Sequence, residues 1–125
     1  MKKRVLDVGQ CPPDHSAIRH LMESLGAEVQ QVALPSEAMD VLKRETFDLV
    51  LVNRKIDQDY TDGVELVTMM KRNEIAVPVM LVSNYADAQS EAVALGAVQG
   101  FGKDQLRLPE TKDRILAVLQ SGVPG

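Results

Sequence analysis

Short apolar runs alternate along this chain with longer amphipathic stretches. Val5-Leu6-Asp7-Val8 reads as a strand. From Asp14 to Leu25 the apolar residues Ile18, Leu21, Met22 and Leu25 recur at helical spacing, with Pro12-Pro13 at the entry and Gly26 as the stop. Glu28 to Ala33 is a second strand. Ser36 is placed to cap a helix running to Arg44, with Ala38, Val41 and Leu42 inward. Leu49 to Val52 and Val77 to Val82 are nearly continuous apolar strands. Between them Asp62-Gly63 opens a helix carrying Val64, Val67 and Met70 on one side. Ala86 to Leu95 is an Ala-rich helix ending at Gly96, Val98 to Gly102 a short fifth strand, and Glu110 to Leu119 a last helix with Ile115, Leu116 and Leu119 apolar.

Five strand–helix units follow one another. Strands that are apolar at every position are buried on both faces, which means a parallel sheet with helices on each side. Right-handed crossovers leave few topologies. The expected fold is therefore an α/β, flavodoxin-like three-layer sandwich with strand order 2-1-3-4-5 and five helices. Sites on such sheets form where the strands end at their carboxyl edge, here at Gly9-Gln10, Asn53, Ser83-Asn84 and Gly102-Lys103.

The 125 residues suit one domain, expected over 1–120, with 121–125 as a frayed tail. A hydrophobic content of 45% beside 26% charged residues predicts a packed core. The net charge of -4, without a basic stripe, argues against nucleic-acid binding. The single cysteine, Cys11, forms no internal disulfide, and no apolar run is long enough for a signal core or a membrane span. A cytoplasmic location is expected.

The strand ends resemble those of the response-regulator receiver domain of two-component signalling, over about Arg4 to Leu119. Ser83 matches the family's hydroxyl after strand four and Lys103 its lysine after strand five. Phe47-Asp48-Leu49-Val50-Leu51-Val52 looks like its third strand, and Asp62-Gly63 like the opening of its third helix. The resemblance implies an acidic pair after strand one and a phosphoacceptor aspartate after strand three, but this chain has Gly9 and Gln10 at the first place and Asn53 at the second. Asp104 replaces a proline, Gly100 stands at a switching aromatic's position beside Phe101, and the loop Arg54 to Thr61 is longer than the family's and lacks its proline.

An amide is a poor nucleophile and brings no charge to a metal. Magnesium wants hard, charged oxygen ligands. The expectation is a pseudo-receiver with no enzymatic activity, no phosphoryl transfer and no bound Mg2+. Lys103, without carboxylates at those places, would seek Asn53, Asp57, Asp59 or backbone carbonyls. By resemblance, a protein partner (a kinase, an output domain or a second copy) would engage the face of helix four, strand five and helix five. That face is expected to include Ala88, Glu91, Ala92, Phe101, Asp104, Leu106, Arg107, Lys112 and Asp113. The alternative is a working phosphoacceptor that uses a relocated acid, such as Asp57 or Asp59.

Other residues invite chemistry less strongly. Asp7 lies on the same side of its strand as Gly9 and is expected to be half-exposed or to contact a nearby His or Lys; the sharper alternative is a relocated ligand or a carboxyl of raised pKa. Cys11 reads as an ordinary thiol whose pKa a helix N-terminus would lower. Asp57, Asp59 and Asp62 read as a solvated loop without calcium-loop spacing. Four aromatic residues give no stacking platform for single-stranded nucleic acid, and Met69, Met70 and Met80 read as packing.

Overall fold

A computed structural model describes residues 2–121; the tail residues 122–125 lie outside them. The elements are β1 (Lys3–Val8), α1 (Pro12–Ser24), β2 (Ala27–Val32), α2 (Pro35–Arg44), β3 (Leu49–Asn53), α3 (Val64–Arg72), β4 (Val79–Val82), α4 (Ala86–Ala94), β5 (Val98–Phe101) and α5 (Pro109–Gln120), with a 3-10 turn at Lys103–Gln105. The five strands form one parallel sheet in the order β2-β1-β3-β4-β5. The α/β flavodoxin-like architecture is as the apolar pattern predicts.

Two apolar layers cover the sheet. Leu6, Val8, Val50, Val52 and Leu81 pack with α2, α3 and α4 on one face. Val5, Leu49, Leu51, Met80, Val82 and Phe101 pack on the other with Ile18 and Met22 of α1 and Ile115 and Leu119 of α5. Every residue of β3 and β4 is buried, because these strands are covered on both sides. β2, at one edge, is buried at Ala27 and otherwise mixes exposed and half-buried positions.

Several boundaries move, each for a local reason. Ser36 is not the cap of α2. Leu34 holds that position, Pro35 fills the first turn, and Glu37 Oε1 accepts the backbone N–H groups of Ala33 and Leu34 at 3.1 and 3.0 Å. α1 likewise starts at Pro12 rather than Asp14, since proline's missing N–H costs nothing in a first turn. β4 begins two residues late: Pro78 lacks an N–H, although its carbonyl accepts from Val50 N at 2.9 Å.

Candidate functional site at the carboxyl edge

β1 ends in a turn that only glycine makes easily. Gly9 has φ +76, and a Cβ there would lie 2.5 Å from Ile56 Cδ1. The place where the resemblance implies an acid is therefore one where a side chain would have to hold a left-handed backbone and displace Ile56. Gly9's carbonyl is also occupied, accepting Asp57 N at 2.9 Å and Asn53 Nδ2 at 3.1 Å.

Asn53 closes β3 and is buried. Its amide nitrogen also donates to the Lys55 carbonyl, at 2.6 Å. Two carbonyl oxygens thus face one NH2 group, which defines the amide's orientation and uses both its protons.

Ser83 Oγ accepts the Tyr85 N–H at 3.1 Å, where α4 begins. Lys103 Nζ lies 2.6 Å from Asp14 Oδ2, both side chains about one third exposed. Its partner is thus Asp14 rather than the expected Asn53, Asp57 or Asp59. Asn53, Ser83 and Lys103 line one open cleft of about 510 Å³ with Asp57 and Tyr85. Gln10 is not among them; it lines a smaller cleft with Gln31, Ala33 and Asp57.

Behind this edge lies a polar cluster that the sequence pattern only hinted at. Asp7 is fully buried, not half-exposed, and its Oδ2 meets His15 Nδ1 at 2.6 Å. Burial pushes its pKa up to about 6, against the pull of the His15 hydrogen bond and charge. The contact with a nearby His and the raised carboxyl, set apart as alternatives, hold together. Asp7 Oδ1 and both amide atoms of Gln10 are buried without a well-formed hydrogen bond, though the nearby Gln10 amide adds to the pull that lowers the Asp7 pKa.

Asp14 accepts the Cys11 thiol at 3.1 Å. Partial burial pushes the Asp14 pKa upward, but the bonds from Lys103 and Cys11 and the lysine's charge outweigh it, so the carboxyl sits below its ordinary value. For Cys11 a backbone bond to Asp14 favours the thiolate, yet burial and the Asp14 carboxylate win and raise the thiol's pKa. The lowering expected from the helix N-terminus is outweighed, because an anion stands in the first turn.

The expected interaction face is only partly a surface. Ala88, Ala92 and Phe101 are 5%, 0% and 1% exposed and belong to the core. Glu91, Asp104, Arg107, Lys112 and Asp113 are exposed and Leu106 is half-buried. Asp104, Leu106, Arg107 and Lys112 border a groove of about 1000 Å³ whose other wall is α1, through residues such as Ala17 and His20. They therefore face α1 rather than α4. Gln89, which no spacing argument singled out, is buried. Its Nε2 donates to Leu81 O at 2.8 Å and Ser83 O at 3.1 Å, and its Oε1 accepts Gly100 N at 3.0 Å. A Cβ on Gly100 would lie 2.1 Å from Leu81 O, so the aromatic side chain implied for that position has no space.

A family model described as the response regulator receiver domain matches residues 12–119. Sporulation initiation phosphotransferase F of Bacillus subtilis is 31% identical over 96 residues, which cover 72% of this chain and 76% of that protein. Among solved structures, the receiver domain of the Francisella response regulator 1452 superposes with a TM-score of 0.80 at 18% identity, covering 94% of this chain and 97% of that one. The receiver domain of a Pseudomonas aeruginosa sensor histidine kinase, with magnesium in its active-site cleft, superposes with a TM-score of 0.71 at 21% identity, covering 96% of each. At such identities these structural matches speak for the fold alone.

Proposed function

Because the chain belongs to the response regulator receiver domain family, we propose that it works in two-component signalling as a receiver that acts by protein contact, without accepting a phosphoryl group. Phosphoryl transfer is carried mainly by positioning and by cancellation of charge, and it needs a carboxylate nucleophile and a divalent cation. The observation that carries the reading is Asn53 Nδ2 bridging Gly9 O and Lys55 O. A carboxylate in that seat would face two carbonyl oxygens. The donors at this edge do not fit a magnesium ion: Gly9 brings no side chain, Gln10 is turned away, and the Asp14 carboxylate is held by Lys103. Among the described residues, no group of three or more His, Cys, Asp and Glu side chains is arranged to hold a metal.

A switch driven by phosphorylation needs a ligand that favours one state over the other. Here Gln89 ties α4 to both β4 and the Gly100 N–H of β5, which favours one arrangement of these elements. The partner is a protein, whether a kinase, an output domain or a second copy. The surface it meets is what stays exposed of the expected residues: Glu91 and Asp113, and along the groove beside α1 Asp104, Arg107 and Lys112 with Leu106 as a half-buried apolar anchor. No described helix is long and apolar enough to cross a membrane, and the domain is read as cytoplasmic.

The test is incubation with acetyl phosphate, or beryllium fluoride, plus magnesium, followed by amide chemical shifts. Shifts unchanged around Asn53 are expected. Saturable changes there at low-millimolar reagent overturn the reading. Asp57 borders the same cleft, so changes that vanish in Asp57→Ala would transfer the acceptor role to that acid. Asp59 is a weaker alternative, because its Oδ1 is taken by the Thr61 hydroxyl and N–H at 2.7 and 3.1 Å.

A further inference from the structure

The cleft above Asn53 carries residues that phosphoryl chemistry does not require. The chain has two tyrosines, and both line this cleft. Tyr60 and Tyr85 are 71% and 70% exposed, the highest values among the large hydrophobic and aromatic side chains at the described surface. Neither is loosely attached. Tyr85 N is held by Ser83 Oγ at the start of α4. Tyr60 sits at φ +61 in a loop closed by Tyr60 N on Ile56 O at 2.8 Å and Ile56 N on Thr61 O at 2.9 Å. A non-glycine residue held in the left-handed region is strained, and such strain clusters at binding and switch sites.

The charge at the cleft has the opposite sign to that of a metal site. Arg54, Lys55 and Lys103 line it against a single acid, Asp57. Lys103 is held by Asp14, but among the described residues neither Arg54 nor Lys55 has a carboxylate partner. The Lys55 ammonium instead lies 5.2 Å from the centre of the Tyr60 ring. The floor, Asn53 and Ser83, is polar and uncharged. A volume of about 510 Å³ suits a small molecule rather than a bare ion.

We propose that this cleft binds a nucleoside monophosphate, with its phosphate on Arg54 and Lys55 and its base stacked against the tyrosine rings. Exposed rings offer a face to any base, and cations without partners offer charge-assisted bonds to a phosphate. The proposal rests on the reading that Asn53 leaves the cleft without a metal, since a bound divalent cation would claim the phosphate-binding space. The ligand would supply what phosphorylation does not, a bound group that favours one setting of the β3–α3 and β4–α4 loops.

The chain has no tryptophan, so its intrinsic emission comes from these two tyrosines and reads the cleft directly. The 125-residue protein, without magnesium, is titrated with the four ribonucleoside 5′-monophosphates, the matching nucleosides and inorganic phosphate, beside free tyrosine to correct for absorbed light. At least one nucleotide should quench emission saturably, with its nucleoside and phosphate each weaker by about tenfold. Arg54→Ala/Lys55→Ala should weaken it by a similar factor, measured by calorimetry, and so should Tyr85→Leu. Lys43→Ala, exposed on α2 and outside the cleft, should leave it unchanged. Absence of saturable quenching by all four nucleotides overturns the proposal, as does equal affinity for inorganic phosphate alone. Either result leaves the reading of Asn53 standing, whereas labelling by acetyl phosphate removes that reading whatever the nucleotides do.

Discussion

Asp7 Oδ2 and His15 Nδ1 lie 2.6 Å apart, joining the buried carboxyl end of β1 to the first turn of α1. The pair stands behind the carboxyl edge, on the sheet face covered by α1 and α5. It predicts a pH dependence with a definite sign. Asp7's pKa is raised from 3.8 to about 6, so the folded chain holds that proton more tightly than the unfolded chain. Its contribution to stability is greatest below pH 3.8 and is lost as pH rises toward and past 6, by roughly 3 kcal/mol. Asp7→Asn keeps an acceptor for His15 and removes the charge. In urea unfolding from pH 4 to 7, the stability of Asp7→Asn relative to the parent should rise with pH. A constant difference would mean that Asp7 does not titrate in this range.

Asn53→Asp places a carboxylate against Gly9 O and Lys55 O, where two N–H donors now sit. The loss should be about 1–3 kcal/mol, read as a lower urea midpoint. The variant should also stay unlabelled by acetyl phosphate, because restoring one acid leaves Gly9 and Gln10 unchanged. A stable, readily phosphorylated variant would show that an acid at position 53 suffices for labelling without acids at positions 9 and 10.

Gly9→Asp should not rebuild an acidic pair. The left-handed φ and the contact with Ile56 oppose any side chain, so Gly9→Ala and Gly9→Asp should each cost about 1–3 kcal/mol. Ile56→Ala in the Gly9→Ala background should relieve the steric part and leave the backbone part. If Gly9→Ala is neutral in thermal melts, the turn is not a reason for the missing acid.

Gln89→Leu leaves Gly100 N–H and the Leu81 carbonyl without their side-chain partner inside the core. A loss of about 1–3 kcal/mol is expected, with faster amide exchange at Gly100 and in α4. Exchange that stays slow at both would show that packing of Ala88 and Ala92, rather than the amide, holds α4 to the sheet.

The helices and strands were legible because each is an average over many positions. Leu49 to Val52 has no polar residue to contradict it, and Ile18, Leu21 and Met22 repeat the helical period on one face. Boundaries were less legible where one residue decides, as when Glu37 rather than Ser36 supplies the cap of α2. The candidate site was legible in its membership: Gly9, Asn53, Ser83 and Lys103 do meet at one edge, because parallel strands bring their carboxyl ends together. Its internal contacts were not. Lys103 had several acids within reach of its long stem, and the register of α1 put Asp14 nearest. Ala88, Ala92 and Phe101 looked available for contact only because their elements lie at the family's interaction face; the period of α4 turns both alanines inward.

By itself the order of apolar and polar residues determined the five strand–helix units, the parallel sheet and the absence of acidic residues at three strand-end positions, since these follow from local period and residue identity. Tertiary structure decided how the residues at those positions are held. The left-handed turn at Gly9, the amide of Asn53 held between two carbonyls, the burial of Asp7 against His15 and the two tyrosines facing one cleft all depend on where loops distant in sequence come to rest. Hydrophobic periodicity carries no information on that, because hydrogen bonds and charge pairs are settled by distances of a few ångströms between segments that the pattern treats as independent.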